Sequence, residues 1–420
     1  MTSRVLLFVL AISLPAELFA QAPDVRRLLD SPQFKAATAF IQSDEPRFVK
    51  ELIELTEIPA PPFKEERRAK AYLEKLRASG LTDVEMDQEG NVMGVRKGSG
   101  GASMLAIVAH LDTVFPEGTD VKVKREGTKL SAPGVGDNTR GLALMLAVIR
   151  AMAAAKFQTA NDILFVGNVG EEGEGDLRGT KFLLQKGKYK DRIKQFIALD
   201  GDAQEVITHG GVGSRRYRVT FKGPGGHSYS SFGLVSPAFA MGNAIARFSR
   251  LKVPQDPKTT YSVGLVSGGT SVNSIPFETA MVVDMRSTDC GELKKLDTQF
   301  LALVKASVDE ENKARSTTQG SISADTKVIG DRPCGVTALT TPLVQTASAV
   351  VRAFAMTPSY DIGSTDANVP MSLGIPAINI GSGVGGRAHA LDEWVTVEPE
   401  ANVQAVQVAM AIILTSAGIK

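Results

Sequence analysis

Two spacings of apolar residues alternate along most of the chain. Stretches such as 67–77 and 142–154 have the pattern of helices. Between the helical stretches stand short, nearly unbroken apolar runs, MLAIVAHLD, DILFVGNVG and IKQFIALDG. Runs of that length, rich in β-branched residues and separated by helices, predict strands buried on both faces of a largely parallel sheet. From about residue 211 to 330 the order changes to strand 216–221, helix 237–251, strands 261–266 and 280–285, helix 292–312 and strand 321–328. That succession is the split β-α-β-β-α-β unit. Helix and strand alternation resumes from Pro342, with a short strand at 377–380 and a last helix from about Pro399. The pattern therefore predicts an α/β protein in which a small domain, 211–330, is inserted into a larger one built from 21–210 and 331–420.

The N-terminus adds a processing signal. A basic MTSR end, an apolar run over 5–14 and Ala20 before the polar Gln21 predict a secretory signal peptide over 1–20, although Leu18 is an unusual residue three positions before the cut. The run is too short to span a bilayer, and the apolar stretch 406–414 is shorter still. A secreted or periplasmic protein with no membrane attachment after cleavage is the expectation. Formal charge is +1, with no long single-sign run, so no electrostatic case exists for nucleic acid or an anionic membrane. The partner expected is a small molecule. Cys290 and Cys334 are the only cysteines, which excludes a multi-cysteine metal site and allows at most one disulfide within the chain. Whether they pair is open at this level.

Histidine is the commonest neutral zinc ligand, and the chain has four. His110 and Asp112 end the run LAIVAHLD, where residues two apart share one side of a strand. One can bind a metal while the other orients it. The plainer reading is an ordinary polar pair at a strand end. Asp137 lies in the glycine-rich turn GVGDNTRG just before a helix, the edge of an α/β sheet where ligands bind, and also the place where Asp serves as an N-cap. Glu171 and Glu172 follow DILFVGNVG. Adjacent carboxylates there repel unless a positive charge holds them, and a divalent cation would leave one as ligand and the other as general base; a solvated loop is the alternative. Asp200 ends FIALD, and His389 sits in GSGVGGRAHALDEW, where core packing offers a histidine little. Oxygen and imidazole donors without sulfur suit a catalytic rather than a structural zinc site.

The ordered motifs HLD, GDN, GEEGEG, LDGD and RAHALDE resemble the co-catalytic zinc peptidase family that includes glutamate carboxypeptidase, peptidase T, succinyl-diaminopimelate desuccinylase, acetylornithine deacetylase and aminoacylase. The resemblance covers nearly the whole chain after the signal segment. It implies a zinc-exopeptidase-type three-layer α/β/α catalytic domain with a ferredoxin-like lid and dimerisation domain. By motif, Asp137 would bridge two Zn2+ ions, for which Co2+ or Mn2+ could substitute. His110 and Asp200 would hold one ion, Glu172 and His389 the other. Glu171 would be the general base and Asp112 would orient His110. GPGGHSYSS implies that His227 donates to the developing oxyanion in a partner subunit's site, so a homodimer through the lid is expected. Asn273 in SVNSIP, Arg286 in VDMRST and Thr365 in GSTD match substrate-holding positions. His209 matches none and is read as structural.

Two departures bear on the pocket. Asn138 stands where many relatives have a second Asp after the bridging one, and Ser364 stands where Gly is more usual. The GEGDLRG stretch favours the peptidase T-like and glutamate carboxypeptidase-like branches. The expected function is metal-dependent hydrolysis of amide bonds in small peptides by an exopeptidase. N-acyl amino acid deacylation is the alternative enzyme, and an inactive peptide-binding relative is the alternative outside enzymes.

Overall fold

Four of the expected apolar runs form the centre of the molecule in the computed structural model, which describes residues 22–419. The signal-peptide segment lies outside the described residues. Met104–His110, Asp162–Asn168, Ile193–Leu199 and Ala377–Ile380 are parallel neighbours, and the first two are buried along their whole length. Their side chains divide by alternation. Ile107, Phe165, Ile197 and Leu199 join one core cluster, while Val108, Leu164, Val166 and Phe196 join a second on the opposite face. Helices cover both, giving three layers. Pro32–Thr56, Gly141–Ala154, Pro342–Ala353 and Pro399–Ala417 lie over the first cluster, and Arg178–Gln185 and Asn368–Ser372 over the second. Gly141–Ala154 is buried nearly all round, which explains its almost wholly apolar sequence. Its one charged residue, Arg150, is satisfied by Asp44 and Glu51 of Pro32–Thr56.

The central sheet is mixed, and this corrects the expectation of a largely parallel one. Thr82–Met86 and Val92–Arg96 pair antiparallel at one edge because they are joined by a five-residue turn, too short for a parallel crossover. That turn is held by Asp87, whose Oδ1 accepts from the amides of Glu89, Gly90 and Asn91. At the other edge Val206–Gly211 runs antiparallel to Ala377–Ile380, beside Gly335–Val336 and Ser359–Gly363.

Gly213–Lys222, Thr259–Gly268, Glu278–Ser287 and Ser323–Arg332 form a separate antiparallel sheet, with Glu278–Ser287 and Gly213–Lys222 in the middle. Pro237–Phe248 and Cys290–Ala314 pack on one face of it, around Tyr217, Phe221, Phe248, Met285 and Phe300. The element order is the β-α-β-β-α-β succession read from the sequence. Cys290 and Cys334 are joined in a disulfide with 5.7 Å between Cα atoms, tying the start of Cys290–Ala314 to the segment that returns to the central sheet.

A small sheet of Gly385–Gly386, Trp394–Thr396, Lys129–Ser131 and Lys124–Glu126 had no strong sequence signal, since each strand is two or three residues long. It brings the segment around His389 against the segment leading to Asp137. No helix among the described residues is long and apolar enough to cross a membrane.

Candidate metal centre

The carboxyl ends of the parallel strands converge, and the motif residues lie there because ligands to an open α/β sheet gather beyond that edge. His110 is the last residue of Met104–His110, Glu171 and Glu172 follow Asp162–Asn168, and Asp200 follows Ile193–Leu199. Asp137 enters from the turn before Gly141–Ala154, and His389 from the loop between Gly385–Gly386 and Trp394–Thr396.

Asp137 stands in the middle. Its Oδ1 is 2.9 Å from His110 Nε2 and its Oδ2 is 3.1 Å from His389 Nε2. His110 Nε2 is 4.0 Å from Asp200 Oδ1, and His389 Nε2 is 2.8 Å from Glu172 Oε1. Two triads thus share one carboxylate: His110, Asp137 and Asp200, and Asp137, Glu172 and His389, each with ligand atoms within 4.8 Å of one another. His110, Glu171 and Glu172 form a further such group. His110 Nε2 and Asp137 Oδ1 are buried without a well-formed hydrogen bond despite their proximity. Buried polar atoms seldom go unsatisfied, and a divalent cation fits both donors.

The electrostatics agree. Burial pushes the Asp200 carboxyl up to about 7, helped by the Asp137 charge. Hydrogen bonds to Asp137 and Glu172 raise His389 to about 10. Burial opposes protonation of His110, but Asp112 and Asp137 outweigh it and hold the imidazole well above its ordinary range. Burial likewise favours the neutral form of Asp137, and its bonds to the two histidines reverse that, keeping it below the usual carboxylate range. So many carboxylates in a small volume repel, and a cation is what relieves them.

Asp112 lies beside His110, as the sequence reading expects, and has a second task. His110 Nδ1 is 3.1 Å from the Asp112 main-chain carbonyl and 3.6 Å from its carboxylate. The carboxylate also accepts from the amides of Glu171 (3.0 Å) and Glu172 (2.8 Å), so it positions both glutamates. Asn138, the departure beside Asp137, donates to the Leu199 carbonyl at 2.9 Å and ties the Asp137 turn to the strand end carrying Asp200.

Three residues that the sequence reading passed over complete the site. Glu393 is buried and accepts from the amides of Gly134, Gly136 and Asp137, fixing the turn that presents Asp137. Burial pushes its carboxyl up to about 7, against those three amides. It lies four residues after His389 in the same motif, the one signal available. Arg332 ends the strand Ser323–Arg332 and donates to Glu171 Oε1 at 3.1 Å, to Ser364 Oγ at 3.0 Å and to the Glu171 carbonyl. Burial pushes the Glu171 carboxyl well above its ordinary range, with Arg332 opposing and Glu172 reinforcing. Asp366 is buried beneath, accepting from Thr180 Oγ1 at 2.6 Å and Asn168 Nδ2 at 2.8 Å.

A cavity of about 330 Å³ opens onto the cluster and is lined by Asp137, Glu171, Glu172, Asp200 and His389. Its other wall includes Arg216, Arg286, Arg332 and Ser364. Of the expected substrate residues only Arg286 lines it. Thr365 is next to Ser364 with its Oγ1 turned to the Ala367 amide. His227 and Asn273 are carried on or beside the two-residue ladder of Gly226–His227 and Ser274–Ile275, outside the cavity, and the His227 ring accepts from the Tyr229 amide. His209 Nδ1 meets the Thr337 carbonyl and its ring packs edge-on against Tyr360, as a structural residue does.

Residues 106–415 match the profile of Peptidase family M20/M25/M40. A putative succinyl-diaminopimelate desuccinylase from Mycobacterium tuberculosis is 26% identical over 354 residues, covering 82% of this chain and 92% of that protein. Among solved structures, a tripeptidase from Staphylococcus aureus superimposes with a TM-score of 0.72 at 23% identity, over 89% of this chain and 98% of that one. A di-peptidase from Saccharomyces cerevisiae gives 0.71 at 16% identity, over 91% and 98%. These likenesses show a common fold.

Proposed function

The chain belongs to peptidase family M20/M25/M40 and is a metallohydrolase of that family, and from this premise we propose that it is an exopeptidase of small peptides. The observation that carries the reading is Asp137, which offers one oxygen toward each of two histidines beside a buried glutamate and a wall of arginines. In this reading His110 and Asp200 would hold one zinc ion and Glu172 and His389 the other, with Asp137, which belongs to both groups of donors, available to either. Bound divalent ions would supply Lewis acidity to the attacking water and the scissile carbonyl. Glu171 takes the water's proton and hands it to the leaving amine. Arg332 holds the Glu171 carboxylate in place, and the Asp112 carboxylate holds the main chain beneath it. Arg286, on the cavity wall, would hold a substrate carboxylate, since a guanidinium matches that group with two parallel bonds.

The test is release of amine from dipeptides, tripeptides and N-acyl amino acids by chelator-stripped protein, before and after zinc, cobalt or manganese is restored. Metal-dependent cleavage of peptides is expected. Cleavage confined to the N-acyl amino acids would replace this reading with the deacylase one, which the Mycobacterium tuberculosis relative favours. Turnover of nothing, with two metals bound, would make the chain a peptide-binding protein.

We also infer a homodimer formed through the lid. Thr259–Gly268 is an edge strand exposed over most of its length, including Leu265 and Val266, and Tyr229, Phe232 and Val272 are exposed near His227. Such an edge is a ready template for a second copy. His227 would then reach the partner's cavity and donate to the developing oxyanion, a contact worth about 3 kcal/mol. Light scattering at micromolar concentration should give the mass of a dimer; a monomer would remove the role of His227.

A further inference from the structure

The face of the small sheet away from its two helices meets the catalytic unit at one end, where Ser214 and Arg332 are buried and Arg216 donates to the Gly173 carbonyl, and is exposed further out at Arg218 and Lys327; cross-strand register sorts its residues into rows. Arg332, Ser214 and Arg286 are opposite one another in the first row, and Gly330, Arg216 and Asp284 in the second. Lys327, Arg218 and Val282 form the third. Residues two apart on a strand share a face, so successive rows are about 6.7 Å apart. Arg332, Arg286 and Arg216 line the reaction cavity. The basic side chains therefore continue outward from the cavity, from buried Arg332, through half-buried Arg216 and Arg286, to exposed Arg218 and Lys327.

The rows differ in how their charge is met. Arg332 is paired with Glu171, while Arg216 (3.1 Å) and Arg286 (2.7 Å) divide the two oxygens of Asp284. Arg218 and Lys327 stand directly opposite each other, and neither makes an ion pair among the described residues. Like charges directly opposite on a sheet are destabilising. Asp325, on the same face one row further out, is opposite Thr220 and bonds to neither. An arrangement that is unfavourable in the free protein becomes favourable once an anion lies between the two cations.

We propose that Arg218 and Lys327 form an outer anion subsite, and that the substrate is an acidic peptide whose carboxylates extend from the cavity along this face. The spacing suits it, because alternate side chains of an extended peptide recur at the same interval as the rows. The inference rests on the exopeptidase reading and narrows its substrate to peptides with carboxylate side chains beyond the cleaved bond.

Tetraglutamate and tetraglutamine separate the possibilities. Hydrolysis of each is measured with zinc-loaded wild-type and Arg218→Glu/Lys327→Glu protein, and binding of each by calorimetry in the Glu171→Gln background. Both substituted positions are solvent-exposed, so folding is not at stake. In the wild type the acidic peptide should be favoured roughly tenfold in kcat/KM and in affinity, the amount expected of two exposed ion pairs. The preference should shrink toward one in the double variant, and in wild type at high salt, where exposed charges are screened. A preference near one in the wild type, or one that survives Arg218→Glu/Lys327→Glu, overturns the proposal. Hydrolysis of both peptides without preference removes the subsite and leaves the peptidase. Preferential binding of tetraglutamate without hydrolysis of any peptide keeps the subsite and removes the peptidase.

Discussion

Glu171→Gln is expected to lower kcat about a thousandfold while the protein keeps its full complement of metal. The amide preserves the volume and can still accept from Arg332, so the buried arrangement around Glu171 stays close to native. It cannot accept the proton of the attacking water, and a positioned general base contributes about 10²–10⁴ in rate. Burial raises the Glu171 carboxyl above its ordinary range, which makes it a stronger base, and Arg332 opposes that rise. The measurement is steady-state turnover together with elemental analysis of the same sample. Near-wild-type turnover with metal bound would show that another group moves the proton.

Asp137→Ala should have a still broader effect, because Asp137 belongs to both ligand triads. Without it His110 and Asp200 lose the third donor of their set, and Glu172 and His389 lose theirs. Bound metal is expected to fall from two equivalents to below one, with activity lost altogether. By contrast, Asp200→Ala leaves the triad of Asp137, Glu172 and His389 intact and should spare one equivalent. Retention of two equivalents by Asp137→Ala would mean that the two sets do not share this carboxylate.

The chemistry was legible in the chain because metal ligands are few in kind and sit where strands end. His110, Glu172 and Asp200 each follow an apolar run, so their place at one sheet edge follows from local pattern alone. The small antiparallel sheet and its two helices were legible because strand and helix periods differ and the succession of elements is distinctive. Arg332 was not. An arginine at the end of an exposed strand looks like a surface charge, and only the return of that strand to the central sheet puts it against Glu171, more than 150 positions earlier. The role of Asp112 was half visible. Its closeness to His110 is local, but the amides it holds belong to a neighbouring strand end, and no spacing along the chain records that.

By itself, then, the sequence determined the alternation of strands and helices, the inserted β-α-β-β-α-β unit and the residue types able to bind two metals, since all of these depend on period and short-range motif. Tertiary structure alone decided the mixed direction of the central sheet, the pairing of Cys290 with Cys334, the grip of Glu393 on the Asp137 turn and the row of cations leading out of the cavity. Each of those depends on segments far apart in the chain meeting with a particular register, and register is set by packing.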